Sequence, residues 1–125
     1  MSPLNLRLLR KSDCDIGREC PSINATDQNT LIVQGYVVGV NDVAAAGFLV
    51  RQGWTAVDVP LSLVPELRDV AGWPHLHVTG RDTVLVYGPE LTDAEALAEL
   101  SIPPGEAAVE LPVSSLPLKE ALNRA

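Results

Sequence analysis

Cys20-Pro21-Ser22-Ile23-Asn24-Ala25-Thr26-Asp27-Gln28-Asn29-Thr30-Leu31-Ile32-Val33-Gln34-Gly35 decides the fold, because a second version of it follows later in the chain. The later version reads Trp73-Pro74-His75-Leu76-His77-Val78-Thr79-Gly80-Arg81-Asp82-Thr83-Val84-Leu85-Val86-Tyr87-Gly88. Dropping one residue near Val40 continues the match, and Gly53-Trp54-Thr55-Ala56-Val57-Asp58-Val59-Pro60 then lies over Gly105-Glu106-Ala107-Ala108-Val109-Glu110-Leu111-Pro112. Identical residues stand at Pro21, Thr26, Thr30, Val33, Gly35, Ala44, Ala46, Gly53, Ala56, Val57, Pro60, Ser62 and Pro65 and their counterparts. Ordinary composition would give roughly three such identities. The Gly, Pro and Thr punctuation aligns along with the aliphatic residues, as in an internal repeat.

Each copy reads as one supersecondary unit. Ile23–Thr26 is a short strand, and Asp27-Gln28-Asn29 is a three-residue hairpin loop matched by Gly80-Arg81-Asp82. Thr30–Gln34 is a second strand, apolar on both faces and therefore central, with Gly35 and Gly88 expected to end it and its counterpart. A helix follows. In the second copy Thr92-Asp93-Ala94-Glu95 forms a capping box behind Leu91, with Ala94, Leu97, Ala98 and Leu100 as the apolar face. In the first copy the helix is expected over Asp42–Gln52 with Gly53 as its cap. A third strand, Thr55–Val59 or Ala107–Leu111, alternates and stops at proline. Ser62 or Ser114 then starts a short helix, with Leu63, Val64 and Leu67 inward.

The predicted fold class is therefore α+β: a tandem β-β-α-β-α repeat forming one compact domain with a pseudo-two-fold axis. The boundaries are 1–19 for an N-terminal arm or edge strand (Asn5–Leu9), 20–72 for the first unit and 73–125 for the second. A unit this small buries too little to be stable alone, so the copies are expected to pack face to face. Assembly is expected as a monomer with this pseudo-dimer core, or as a homodimer.

Composition sets the limits on function. The chain has 125 residues, hydrophobic residues make up 46 % and aromatics 4 %, so the core is aliphatic and disorder is disfavoured. Nine Lys and Arg face sixteen Asp and Glu, a formal net charge of −7, which argues against a phosphate-binding surface and direct nucleic-acid contact. No apolar run reaches the roughly 18 residues of a membrane helix, and the N-terminus has no long apolar signal core. A cytoplasmic protein without membrane contact is expected.

Acidic residues are unevenly spread. Between Arg81 and Lys119 lie Asp82, Glu90, Asp93, Glu95, Glu99, Glu106 and Glu110, with no Lys or Arg among them. Asp93, Glu95, Glu99, Glu106 and Glu110 are the candidate surface for a basic partner, since such a field attracts and steers one. Solubility and helix capping are the simpler reading of the same residues. The arm carries Arg7, Arg10, Lys11 and Arg18 against Asp13, Asp15 and Glu19, too little positive charge for nucleic acid but enough to neutralise acids of the second copy.

The alternative reading is a metal- or small-ligand-binding protein that uses a Cys/His cluster. His75 and His77 stand at alternate positions of a predicted strand and share a face. Were the first strands of the two copies side by side, Cys20 would approach them, and Cys14, Cys20, His75 and His77 would make a conceivable zinc site. The Cys14–Cys20 spacing is not that of a zinc knuckle. No Ser-His-Asp order, phosphate loop or supported carboxylate pair points to catalysis, so no enzyme activity and no cofactor beyond that zinc are expected.

Arg10-Lys11-Ser12, the two cysteines, Cys20-Pro21-Ser22-Ile23 with Thr26-Asp27, Thr30-Leu31-Ile32-Val33-Gln34-Gly35 and Gly105-Glu106-Ala107-Ala108-Val109-Glu110-Leu111-Pro112 together resemble small acidic proteins of actinobacteria. Those proteins are uncharacterised or encoded beside helix-turn-helix regulators of development and antibiotic production. The resemblance implies an antitoxin-like regulatory partner protein that binds a transcriptional regulator and is not an enzyme. Val57-Asp58-Val59-Pro60 before a short helix is more weakly similar to swapped-hairpin DNA-binding antitoxins, against which the acidity counts.

Overall fold

A computed structural model describes residues 6–11, 21–49, 51–69, 75–100, 102, 104–116 and 118. The fold is mixed α/β, a seven-stranded antiparallel sheet with two short helices. In chain order these are β1 (Leu6–Lys11), β2 (Ser22–Thr26), β3 (Thr30–Val37), α1 (Val40–Ala45), β4 (Trp54–Pro60), β5 (Leu76–Val78), β6 (Thr83–Pro89), α2 (Ala94–Leu100) and β7 (Glu106–Pro112). The order is β1-β2-β3-β4-β6-β5, with β7 on the other edge of β3.

Both hairpin loops have the three residues expected. Asn29 and Asp82 sit at φ of 61° and 60°, the left-handed third position that closes such a loop, and Asn and Asp tolerate it. Hydroxyls brace both ends: Thr26 to Thr30 and Thr79 to Thr83, each at 2.6 Å.

Pairing crosses between the two halves of the chain. β3 lies along the whole of β7, from Thr30 opposite Pro112 to Tyr36 opposite Glu106, while β4 lies along β6 from Trp54 opposite Pro89 to Pro60 opposite Thr83. The halves thus interleave through backbone hydrogen bonds instead of packing face to face as preformed units. All pairings are antiparallel.

Gly35 and Gly88 do not end their strands, contrary to expectation. Both lie inside them, where the chain comes closest to a crossing neighbour. A Cβ on Gly35 would stand 2.7 Å from the Asp58 carbonyl oxygen, and one on Gly88 would stand 2.5 Å from Leu111 Cδ2. Just beyond Gly35, β2 has left one edge of β3 and β4 takes it, with Tyr36 opposite Asp58 and Val37 opposite Val57.

The central strands are buried on both faces, as the unbroken apolar run of β3 predicts. Leu31 and Val33 join Ile23, Val57, Val59, Val84, Val86, Val109 and Leu111 in the largest core. Leu63, Val64 and Leu67 also enter it, on a 3₁₀ turn (Pro65–Asp69) and the residues before it, where a short helix was expected. A second 3₁₀ turn covers Val113–Ser115. Ile32 faces the other way, packing with Ala96, Leu100, Leu91 and Ala108 beneath α2. Val43, Ala56 and Tyr87 pack beneath α1.

The helices differ from expectation at their ends. α1 is only Val40–Ala45, because Gly47 at φ 92° ends it and its N–H reaches the Ala44 carbonyl at 3.0 Å. Gly53, at φ 79°, belongs to the turn into β4. α2 is capped by Asp93, whose Oδ1 accepts the Ala96 N–H at 2.9 Å. Its buried residues are Ala96 and Leu100, with Leu97 half-buried and Ala94 and Ala98 exposed. No helix is long and apolar enough to cross a membrane.

Candidate functional site

Two pockets open on the face of the sheet that carries the helices. The first measures about 270 Å³ and is lined by Leu6, Leu8, Lys11, Ser22, Asn24, Gln34, Glu99 and Leu100. Its floor is polar: Ser22, Asn24 and Gln34 are buried side chains on β2 and β3. Gln34 Nε2 donates to Glu106 Oε1 at 3.3 Å. β1 forms one wall, since Leu6, Leu8 and Lys11 stand opposite Thr26, Asn24 and Ser22. A bulge between Leu8 and Arg10 restores this phase and turns Leu9 toward the main core. Arg10 fastens the strand. Its guanidinium donates to both Glu66 carboxylate oxygens and, at 3.0 Å, to the Leu63 carbonyl. Arg10 of the arm therefore pairs with an acid of the first half, Glu66.

The second pocket measures about 340 Å³ and is lined by Gly47, Phe48, Leu49, Arg51, Trp54, His75 and Tyr87. Three of the five aromatic residues meet here with both histidines. Phe48 stacks on Tyr87 with centroids 5.0 Å apart, Trp54 leans on Tyr87 at 5.2 Å and on His75 at 5.6 Å, and His77 meets the Phe48 edge at 6.5 Å. Arg51 lies 4.8 Å above the Trp54 ring, within cation–π range. The Tyr87 hydroxyl donates to the Leu49 carbonyl at 2.7 Å and accepts the Arg51 N–H at 2.9 Å, tying the loop after α1 to β6. His75 Nδ1 is buried without a hydrogen-bond partner among the described residues.

Composition alone hid this cradle, because five aromatics in the chain look too few to form a pocket. Strand parity was the available signal. His77 lies opposite Leu85, so His75, His77, Leu85 and Tyr87 share a face, the one on which Phe48 of the loop after α1 packs.

The residues expected to meet a basic partner divide by role. Glu95 and Glu99 are exposed, one turn apart on α2. Asp93 is half-buried and occupied by the α2 cap. Glu106 and Glu110 are half-buried on β7, accepting from Gln34 and, at 2.6 Å, from the Thr30 hydroxyl.

Of the proposed metal ligands, the described residues include His75 and His77. His75 and His77 share a face, but β2 and β5 are separated by β3, β4 and β6 in the pairing order, so the side-by-side arrangement that would carry Cys20 toward them is not formed. Cys14 and Cys20 lie outside the described residues. Among the described residues no group of three or more His, Cys, Asp or Glu is placed to hold a metal. Comparison of the chain with protein-family models, curated proteins and solved structures gives no match.

Proposed function

We propose that the chain is a non-catalytic protein-interaction module, built on a duplicated β-β-α-β-α unit, that binds a basic protein such as a transcriptional regulator through the solvent side of α2. The duplication is supported by backbone bonds that recur at matching positions. Val37 N–H reaches the Gly105 carbonyl at 3.0 Å, and Glu90 N–H reaches the Gly53 carbonyl at 2.9 Å. Leu61 N–H meets the Asp82 carbonyl at 2.9 Å, and Val113 N–H meets the Asn29 carbonyl at 3.1 Å. These pairs correspond under the same alignment that matches the sequences.

The observation that carries the partner reading is the exposed pair Glu95 and Glu99. Neither forms an ion pair with a cation among the described residues, and neither has a visible task in holding the fold. Such carboxylates accelerate encounter with a basic surface and contribute through complementarity. Asp93, Glu106 and Glu110 serve chiefly to build the platform.

The test is co-purification followed by mass spectrometry, with Glu95→Lys/Glu99→Lys beside the wild type. A basic protein recovered with the wild type and lost with the double variant is the expected result, with unchanged unfolding of the bait. Equal recovery of that partner by both overturns the reading. An Asp93→Ala control separates partner contact from helix stability, because it costs about 1 kcal/mol through the cap while leaving the exposed pair in place.

A further inference from the structure

We propose that the outer edge of β5, beside the aromatic cradle, is a second docking surface that takes an extended segment of a partner protein by strand addition. The inference rests on the duplication proposed above. β2 and β5 are then counterparts, and β2 already carries such a guest, the chain's own β1.

The β5 edge has the groups this needs. Tyr87 N–H bonds the His75 carbonyl and Thr79 N–H bonds the Thr83 carbonyl, both at 2.9 Å, so alternate residues of β5 face β6. The backbone groups of Leu76 and Val78 therefore point to the other edge. β6 is the only strand paired with β5 among the described residues. An open edge of this kind supplies main-chain affinity to a guest strand, and adjoining pockets supply selectivity.

The guest's chemistry follows from β1. Leu6 and Leu8 stand over Thr26 and Asn24, and Lys11 stands over Ser22 in the pocket that Glu99 also lines. At β5 the corresponding positions are Thr79, His77 and His75, and the charge beside them is Arg51, exposed and without a carboxylate partner among the described residues. Charge complementarity therefore inverts. The guest should run antiparallel to β5 with two apolar residues at alternate positions, a bulge, and then a carboxylate where β1 has Lys11. The occupant is thus an acidic-tipped extended segment, chemically opposite to the basic partner of α2.

The probe is the capped peptide Ser-Leu-Thr-Leu-Leu-Thr-Glu-Ser, titrated into the ¹⁵N-labelled full chain and followed by amide shifts and hydrogen exchange. The expected result is slowed exchange at Leu76 and Val78, with shifts at Arg51 and the Trp54 indole. Lysine in place of the peptide's glutamate should weaken binding roughly two- to fivefold, although the net charge of −7 would by itself favour the lysine peptide. Arg51→Glu should reverse that order. No response at millimolar peptide overturns the proposal, as do shifts confined to β1 and β2, an order unchanged by Arg51→Glu, or self-association that covers β5 with a second copy. Glu95→Lys/Glu99→Lys should bind the peptide like the wild type, so failure here and failure of the α2 reading remain distinguishable.

Discussion

The polar pocket and the aromatic cradle stand on similar hairpins but are closed by opposite means. In the first, short polar side chains floor the pocket, and an additional strand, β1, supplies Leu6 and Leu8 as a wall. In the second, His75, His77 and Tyr87 occupy the matching positions, and their rings pack with Phe48 and Trp54. The lid there is the loop from Gly47 to Arg51, held by one tyrosine hydroxyl. One backbone frame thus supports two side-chain solutions: a polar pocket walled by an added strand, and a cradle lined by rings. Where chain is added, the sheet edge is paired; where rings are added, β6 is the only strand paired with β5 among the described residues, and the other edge is the one we propose for a partner segment.

The frame itself should break most easily at its two glycines, and unequally. A methyl at Gly35 meets backbone, the Asp58 carbonyl at 2.7 Å, and backbone cannot rotate aside. A methyl at Gly88 meets only the Leu111 side chain, whose nearest atom is the end of a leucine. Overpacking costs typically 1–3 kcal/mol. Gly35→Ala should therefore lose about 3 kcal/mol and Gly88→Ala about 1 kcal/mol in urea unfolding. Equal losses would show that the two crossings are mechanically alike.

The next effect isolates the strand that one half has and the other lacks. Arg10 and Glu66 are 16 % and 28 % exposed, so their ion pair is better sheltered than an ordinary surface pair and is joined by a bond to the Leu63 carbonyl. Removing one partner strands the other in a poorly hydrated place. Arg10→Ala should cost about 2 kcal/mol, and amide exchange should rise along Leu6–Lys11 while the β5–β6 hairpin keeps its protection. If β1 stays protected, its backbone pairing with β2 is sufficient and the ion pair is incidental.

The elements visible in the sequence were those set by local rules. Three-residue loops, the aliphatic β3 and the proline ends of β4 and β7 each follow from turn chemistry or period, which act over a few residues. The strand exchange was not legible in this way. Which strand lies beside Thr30–Tyr36 depends on competition among edges far apart in the chain, and the apolar runs of β4 and β7 suit either partner. Gly35 was misread for the same reason: glycine signals an end when only neighbours along the chain are considered, and a close approach when the crossing strand is known. Asp93, Glu95, Glu99, Glu106 and Glu110 were conspicuous as charge, but only packing separates the two carboxylates without an ion pair among the described residues from the three engaged in hydrogen bonds. The cradle escaped notice because its rings come from a loop, β4, β5 and β6, which sequence proximity does not connect.

The smallest effect concerns the lid of the cradle. Tyr87→Phe keeps the ring that stacks on Phe48 and removes only the hydroxyl between Leu49 and Arg51. The loop carries Leu49 and Arg51 exposed, so water can replace part of what is lost, and the cost should be about 1 kcal/mol. The more telling readout is local: the Arg51 amide, which donates to that hydroxyl, should exchange faster, while the Gln34–Glu106 contact across the sheet is untouched. The guest peptide should bind the variant more weakly, because Arg51 must be ordered at binding instead of beforehand. A variant that exchanges and binds like the wild type would mean that ring stacking alone positions the loop, and the contrast between a lid of chain and a lid of rings would then hold without the hydroxyl.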